Sequence, residues 1–573
     1  MTPFSWSQPH EVNEHVAGLA AGLRALGHAV TVLAPSTRAA DLLEGRRVIQ
    51  GSAPAGEVVA VGPAVPISRR SQLGVPVGVR ANLSLALTRV SADVVHGFEP
   101  GLPSLSYLAL RDTDALTVAT FCSTDRLSYP PARSQRERLL TRLDSLLALS
   151  EPIARAAAER FPGDYRVISP SVDLDLFAPG HKRRRITVEL RPNERAVARS
   201  ILRLLRELPD WEAVLLRTTP LVGRPAIPRD LAGRVSVRTA RAGTARAAIL
   251  AETAIFVPGL AGLPRLALEA RAAACAIVAP AGVEAQPELA AACAARLAED
   301  DAFRLREQKA ARDEAGLQSF AHLADEHDRL YGRLLALRRR AAPRRSADPL
   351  GDRPWLVADL HLHTAWSFDC AVQPTELVER SLAEGLGAIA VTDHNVFGGA
   401  LETLEEAAGS ELIVIAGEEI KTADQGEVIG LFLEREIPPG MSFPETIAAI
   451  RAQNGLVYVP HPFDRMHTIA DPATLHRHLA EIDVLEVYNA RLLFEAHNDE
   501  ALRFARKYDL TMGAGSDAHV LQGLGTGAVR MRSFAGPEEF LISLRSAEIL
   551  RRPKSLAYLQ SLKWMAQVKE KVR

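Results

Sequence analysis

Short apolar runs alternate with helical segments along almost the whole chain, and that alternation is the pattern of parallel βαβ units. Between residues 10 and 335, HVAGLAAGLRALGH reads as a helix ending near Gly27, and AVTVLAP, ADVVHGF, ALTVATF, SLLALS and YRVISP read as short buried strands. The order restarts around SVDLDLFAPGHKRRR, after which RRITVEL, EAVLLRT, VSVRTA, AIFVPG and AIVAPAG follow as strands. The HKRRR cluster could meet phosphates, but it reads better as a solvated crossover. Two Rossmann-like α/β domains are therefore expected, at residues 1–178 and 179–335. RRRAAPRRSADPLGDRP, rich in Arg and Pro and without periodicity, marks a linker over residues 336–354.

Beyond the linker the alternation resumes with WLVADLHLH, AIAVTDHN, LIVIAGEEI, EVIGLFL, LVYVPHP, VLEVYNA and TMGAGSDAH. Helical segments such as TELVERSLAEGLG, SFPETIAAIRAQNG and NDEALRFARKYDL lie between most of them. Seven such units within residues 355–550 fit one closed α/β barrel better than an open sheet. The basic tail, residues 551–573, spaces Leu559, Leu562 and Met565 along one helical face. It reads as a helix packed on the barrel, with a membrane surface as the alternative.

A chain of 573 residues exceeds one hydrophobic core. Its formal net charge of -1 argues against nucleic-acid binding through bulk charge. Cys122, Cys275, Cys293 and Cys370 form no CxxC pair, so neither a disulfide framework nor a zinc ribbon is expected. No basic-then-apolar leader opens the chain, and no uncharged run reaches the roughly 18 residues of a membrane span. A cytoplasmic protein without stable membrane insertion is the expectation.

The chemistry concentrates in DLHLHTAWSFDC, residues 359–370. His361 and His363 stand two apart on a strand end and so face the same way. A lone HxH is most often a polar strand face. Here, however, nine of the 16 histidines fall in the last 223 residues, and ligand-type side chains cluster at the ends of the expected strands. Asp369 follows the first strand, and TDHN supplies Asp393 and His394. AGEEI supplies Glu418 and Glu419, QGEVIG supplies Glu427, VPHP supplies His461, and GSDAH supplies Asp517 and His519. Strand C-termini share one face of an α/β barrel, so these residues are expected to meet in a divalent-metal site. Taken singly, Asp393 could be a helix N-cap and His461 a turn histidine.

The motifs DLHLHT, TDHN, GEE, VPHP and GSDAH, in that order over roughly residues 355–550, resemble the polymerase and histidinol phosphatase (PHP) family. The resemblance implies a distorted seven-stranded α/β barrel holding three divalent metals. Carried over by position, His361, His363, Glu419 and Asp517 would hold one metal and form the catalytic group. Glu419 and His461 would hold a second, and Asp369, His394 and His519 a third. The bridging carboxylate is Glu418 or Glu419, and the GxE spacing favours Glu419. Many members carry a histidine where this chain has Glu427; a carboxylate ligand there favours harder ions and leaves zinc, manganese and iron open.

Such a site suits hydrolysis of a phosphate ester by a metal-activated hydroxide. Expected substrates are a nucleotide, a short oligonucleotide or a sugar phosphate. Arg465 and Arg491, just beyond strand ends, are the candidates for gripping the phosphate oxygens, with surface ion pairing as the alternative for each.

Residues 1–335 resemble retaining glycosyltransferases of the GT-B type through HVAGLAAGLRALGHAVTVLAPS, DVVHGFEPGLPSLSYLAL, SPSVDLDLF and LPRLALEARAAACAIVAP. The functional positions depart from that family. The opening loop WSQPHEVNEH has no glycine, Cys122 stands in place of a histidine, and the GVD turn is SVD at Ser171. Of the donor-binding glutamate pair only Glu269 remains, its partner position being Ala261. Arg191 and Arg195 are the only counterparts of the basic residues that grip a donor diphosphate. The resemblance thus implies a degenerate donor site, and a front half that binds or scaffolds, with retained affinity for a nucleotide or nucleotide-sugar. The alternative is a bifunctional protein whose transferase half still works.

Overall fold

Aliphatic and β-branched residues fill most of the short runs that become strands. The computed structural model of the chain describes residues 1–64, 79–168, 170–190, 195–218, 226–259, 264–278, 287–338, 350–464, 472–552, 554–555 and 561. It divides into two compact units, Met1–Leu334 and Leu335–Arg573. Most of the expected linker, Arg465, Arg191, Ala261 and nearly all of the basic tail lie outside the described residues.

The first unit holds two α/β halves. In the first half, the strands Val94–Phe98, Leu116–Phe121, Ser145–Ala148 and Tyr165–Val167 pair in parallel in chain order. A separate parallel pair joins Val32–Ser36 to Val58–Pro63. The second half is a five-stranded parallel sheet, in the order Ala276–Ile277, Ile255–Val257, Arg185–Glu189, Glu212–Arg217, Val235–Thr239. These are the Rossmann-like layers of a GT-B architecture. Val58–Pro63 was not among the runs singled out above; only four of its residues are buried, too few to stand out as a pattern.

The second unit winds seven strands into a nearly closed barrel: Trp355–Leu362, Ala388–Val391, Ile413–Lys421, Glu427–Leu431, Leu456–Val459, Val484–Asn489 and Thr511–Gly515. Closure is made at the site itself. Leu362 bridges in parallel to Ala518, and the Asp517 amide donates to the His361 carbonyl at 2.9 Å. Buried Asp359 reinforces the seam by accepting from the Ser516 and Gly525 amides, each at 2.9 Å. Two further antiparallel strands, Gly527–Arg532 and Glu548–Arg551, extend the sheet from the other edge of the first strand.

One strand corrects the expectation that every site residue comes from a strand C-terminus. Glu427–Leu431 runs antiparallel to both neighbours. Only residues 422–426 connect it to the strand before, far short of the dozen or so residues that a parallel crossover needs. The reversal puts the first residue of that strand at the functional rim, where Glu427 pairs with Lys421. Among the described residues, no helix is long and apolar enough to cross a membrane.

The seam leaves no room for a side chain at Gly515. A Cβ there would lie 2.2 Å from His361 Cβ and 2.9 Å from Glu486 Oε1. Gly515→Ala should therefore destabilise the metal-free protein by about 1–3 kcal/mol, the usual cost of overpacking, measured as a lower urea midpoint of the barrel transition. An unchanged midpoint would show that the seam can spread.

Candidate metal centre

The first barrel strand delivers His361 at its end and His363 just past it, both wholly buried. Glu419 comes from the third strand, where side chains alternate between faces. Its neighbour Glu418 therefore points away, its Oε2 accepting from the Ile437 amide at 2.8 Å. Glu419 is 1% exposed and forms the hub. Its Oε2 stands 3.3 Å from His361 Nε2, 3.5 Å from His363 Nε2 and 3.1 Å from His394 Nδ1; its Oε1 stands 3.1 Å from His461 Nε2. Asp517 Oδ1 lies 3.4 Å from both His363 Nε2 and His519 Nδ1. Asp369 Oδ2 lies 2.9 Å from His519 Nε2, and its Oδ1 lies 3.9 Å from His394 Nε2. Glu427 Oε2 is 3.8 Å from His461 Nε2.

All eight residues expected as ligands, and Glu427 with them, thus converge on one rim. Donor atoms fall into overlapping groups whose members lie within 4.8 Å of one another: His361, His363 and Glu419; His361, His461 and Asp517; His363, His394 and His519; and His394, Glu419 and Glu427. Two ligands held about 2.1 Å from one ion stand roughly 3–4 Å apart, so the spacing fits shared cations. His363 Nε2 makes the sharper test. It is buried without a hydrogen bond, yet it faces two carboxylates. A buried polar atom left so is costly unless a cation completes it.

Electrostatics divide the imidazoles. Burial opposes charge on His361, but Glu419, Glu486 and Asp517 outweigh it and hold its pKa well above the ordinary value. Burial likewise opposes charge on His461, and its contact with Glu419, helped by Glu486, raises it to about 9. Burial lowers His363 to about 3, and the neighbouring His519 adds to the effect. Burial works against ionising Glu419 and Asp517 as well. His361 and His394 nevertheless hold Glu419 well below the usual carboxylate range, and Arg491 and His361 do so for Asp517.

Arg491 Nη1 donates to Asp517 Oδ1 at 3.1 Å and stands 3.1 Å from the His519 ring nitrogens, so this arginine does reach the site. Asp393 does something other than expected. The next helix, Gly398–Glu406, starts too late for Asp393 to cap it. Its carboxylate instead accepts from the Thr364 amide and hydroxyl, each at 2.6 Å, and from Ser367 Oγ at 2.8 Å, which shapes the loop carrying Asp369. Glu486 was missed altogether. It is buried within the sixth strand, Val484–Asn489, with its Oε1 3.1 Å from His361 Nδ1. The signal was a single carboxylate on an inward position of VLEVYN, a run otherwise without charge.

In the first unit, Glu269 is 1% exposed and already engaged. Arg246 donates to both its oxygens at 2.6 and 2.7 Å, and Arg265 Nε adds a third bond at 3.1 Å. The same two arginines hold Glu14, each at 2.7 Å, and the Gly243 amide donates to it at 3.0 Å. Cys122 follows the strand Leu116–Phe121, and burial together with nearby Glu99 pushes its thiol well above the ordinary range. Ser171 is buried, and Arg195 opens the helix Arg195–Leu204.

Comparison with known proteins matches these parts. The PHP domain model covers residues 359–509, the PHP-associated model residues 495–549, and the Glycosyltransferase Family 4 model residues 12–176. An uncharacterized protein of Methanocaldococcus jannaschii is 34% identical over 214 residues, which is 35% of this chain and 85% of that protein. A phosphatidyl-myo-inositol mannosyltransferase of Propionibacterium freudenreichii is 31% identical over 160 residues, 27% of this chain and 41% of that enzyme. Among solved structures, a sucrose-phosphate synthase of Thermosynechococcus elongatus aligns over 57% of this chain and 94% of its own at 16% identity and a TM-score of 0.41. The chain therefore belongs to the PHP family through its barrel, which follows residues that match the Glycosyltransferase Family 4 model in the same polypeptide.

Proposed function

We propose that the barrel hydrolyses a phosphate ester with the help of divalent metals, and that the front half binds or scaffolds without transferring sugar. The observation that carries the first part is His363 Nε2, buried, without a hydrogen bond and aimed between two carboxylates. His361, His363, Glu419 and Asp517 would hold one ion. Glu419 and His461, with Glu427 beside them, would hold a second, and Asp369, His394 and His519 a third. The metal is zinc, manganese or iron. When bound, such ions acidify water and offset the charge that gathers on a phosphoryl group.

The remaining work falls to the chain. Arg491 carries a planar fork of donors at the rim, steadied from one side by Asp517, and so suits two oxygens of a phosphate. Arg465 keeps the same proposed role. Asp393 and Ser367 hold the turn between His363 and Asp369, which keeps two ligand sets in register. Substrates of matching chemistry are a nucleotide, a short oligonucleotide or a sugar phosphate.

For the front half, the supporting observation is the occupied Glu269. A donor hydroxyl would have to share Glu269 with three charge-assisted bonds from two arginines, and a neutral hydroxyl is the weaker partner. Full-length protein carrying Asp517→Ala is accordingly expected to turn over no UDP- or GDP-sugar, assayed by release of the nucleoside diphosphate. Sugar transfer by that variant would establish the bifunctional reading instead.

For the barrel, chelation should abolish phosphate release and added manganese or zinc should restore it. Asp517→Ala or His361→Ala should lower metal content, measured by elemental analysis, and cut the rate by several orders of magnitude. Protons on His361 and His461 compete with metal, because their raised pKa values keep them charged at neutral pH. Metal uptake, and turnover with it, should rise from mild acid toward pH 9, the value that His461 approaches. A flat profile would remove these imidazoles from the ligand set.

Arg491→Ala should raise KM about 10- to 100-fold, the scale of one charge-assisted hydrogen bond, with metal content unchanged. A fall in kcat alone would place the arginine elsewhere in the reaction.

A further inference from the structure

Glu486 accounts for a geometry that the ligands cannot set by themselves, and we infer that it is a positioning residue which dictates the tautomer of His361. The inference rests on the metal-site reading above. For His361 to offer a bare Nε2 toward Glu419, 3.3 Å away, its proton must sit on Nδ1. That proton needs an acceptor inside a fully buried site, and Glu486 Oε1 is there at 3.1 Å.

The carboxylate is locked from the other side. Its Oε2 accepts from the His461 backbone amide at 2.7 Å and from Asn489 Nδ2 at 3.0 Å. The His461 amide can only donate. Asn489 is also fixed, because its Oδ1 accepts from the Arg491 amide at 2.9 Å, which turns its Nδ2 toward Glu486. The second donor to Oε1 is the buried Tyr458 hydroxyl at 3.0 Å. Four donors therefore surround two oxygens, and both oxygens must accept. Gly515 completes the fit, because its missing Cβ lets the sixth strand's carboxylate and the first strand's imidazole meet.

The same residue ties two proposed ligand sets together. One oxygen orients the His361 ring, and the other fixes the backbone of His461, which bends through a left-handed φ of 27° to reach Glu419. A residue with this role touches neither substrate nor metal. It acts through the two histidines.

The locked orientation makes Glu486→Gln a specific probe. The amide oxygen must take the Oε2 place, where two fixed donors wait, so the NH2 group faces His361 Nδ1. Two donors cannot pair. His361 is driven to the other tautomer, and its Nε2 then carries a proton into the position a metal would need. Gln has the same shape, so the fold is expected to survive, checked by the thermal melt of the metal-free full-length protein.

Manganese binding, measured by chelator competition on the full chain, should weaken about 10- to 100-fold, the usual effect of removing the partner of a ligating imidazole. The visible spectrum of the Co2+-loaded protein should shift, since it reports nitrogen ligands. Glu486→Asp retains an anionic acceptor and should bind manganese more tightly than the Gln variant. In a His361→Ala background, adding Glu486→Gln should change manganese affinity by less than about threefold, because the partner is already gone. Wild-type affinity and spectrum in the Gln variant would overturn the inference, and so would an undiminished loss in the His361→Ala background. Equal losses in the Asp and Gln variants would overturn it too. Failure of the wild-type protein to bind manganese or cobalt would instead sink the metal-site reading itself.

Discussion

A carboxylate withdrawn from water has to be matched by opposite charge or hydrogen bonds, and Glu419 imposes that requirement on the whole barrel. Its two oxygens draw four imidazoles from three places in the chain: His361 and His363 from the first strand's end, His394, and His461. Each of those imidazoles must then be held where it is. His361 leans on Glu486, and the His363 and His394 loop leans on Ser367 and Asp393. The strand ends and the seam of the barrel can be understood as the scaffold for this one buried anion.

That arrangement explains why closure and chemistry share residues. The Asp517 amide bonds the His361 carbonyl, and Leu362 bridges to Ala518, so the contacts that close the barrel lie beside proposed ligands. Asp359 has its own side chain turned to the same seam, where burial raises its pKa to about 7. A carboxyl so placed stabilises through its bonds to the Ser516 and Gly525 amides, while its ionisation costs free energy in the interior. The rim is thus tied by backbone and Asp359 hydrogen bonds that do not depend on an ion.

Much of this was legible in the sequence, for a physical reason. Barrel strands buried on their inner face read as short apolar runs, so ligand-type residues at their ends stand out in VPHP and GSDAH. That Glu418 and Glu419 face opposite ways follows from strand alternation once the register is known. Other features depended on partners far along the chain. Asp393 read as a ligand-type residue or, taken singly, as a helix cap, because the loop that it organises, 29 residues earlier, cannot be seen in a linear pattern. Glu486 was hidden by its surroundings, since a charge within an apolar run is informative only when its 125-residue-distant partner His361 is known. The reversed fourth strand was within reach, because the five residues from 422 to 426 already exclude a parallel crossover.

The two units show how differently a fold and a site persist. The front half keeps parallel sheets and buried layers, which tolerate exchange among aliphatic residues of similar volume. Its polar positions carry no such tolerance. Glu269, one of the residues that the glycosyltransferase resemblance singles out, now spends both oxygens on Arg246 and Arg265, while Glu14 neutralises the same arginines. In the barrel the opposite holds: buried carboxylates and imidazoles face one another at 3.1–3.5 Å with His363 Nε2 left without a hydrogen bond. The first cluster has its charges paired by hydrogen bonds, and the second leaves one buried imidazole nitrogen without such a bond. That difference in saturation, more than the likeness of either half to a family, is the physical support for the proposal that places hydrolysis in the barrel.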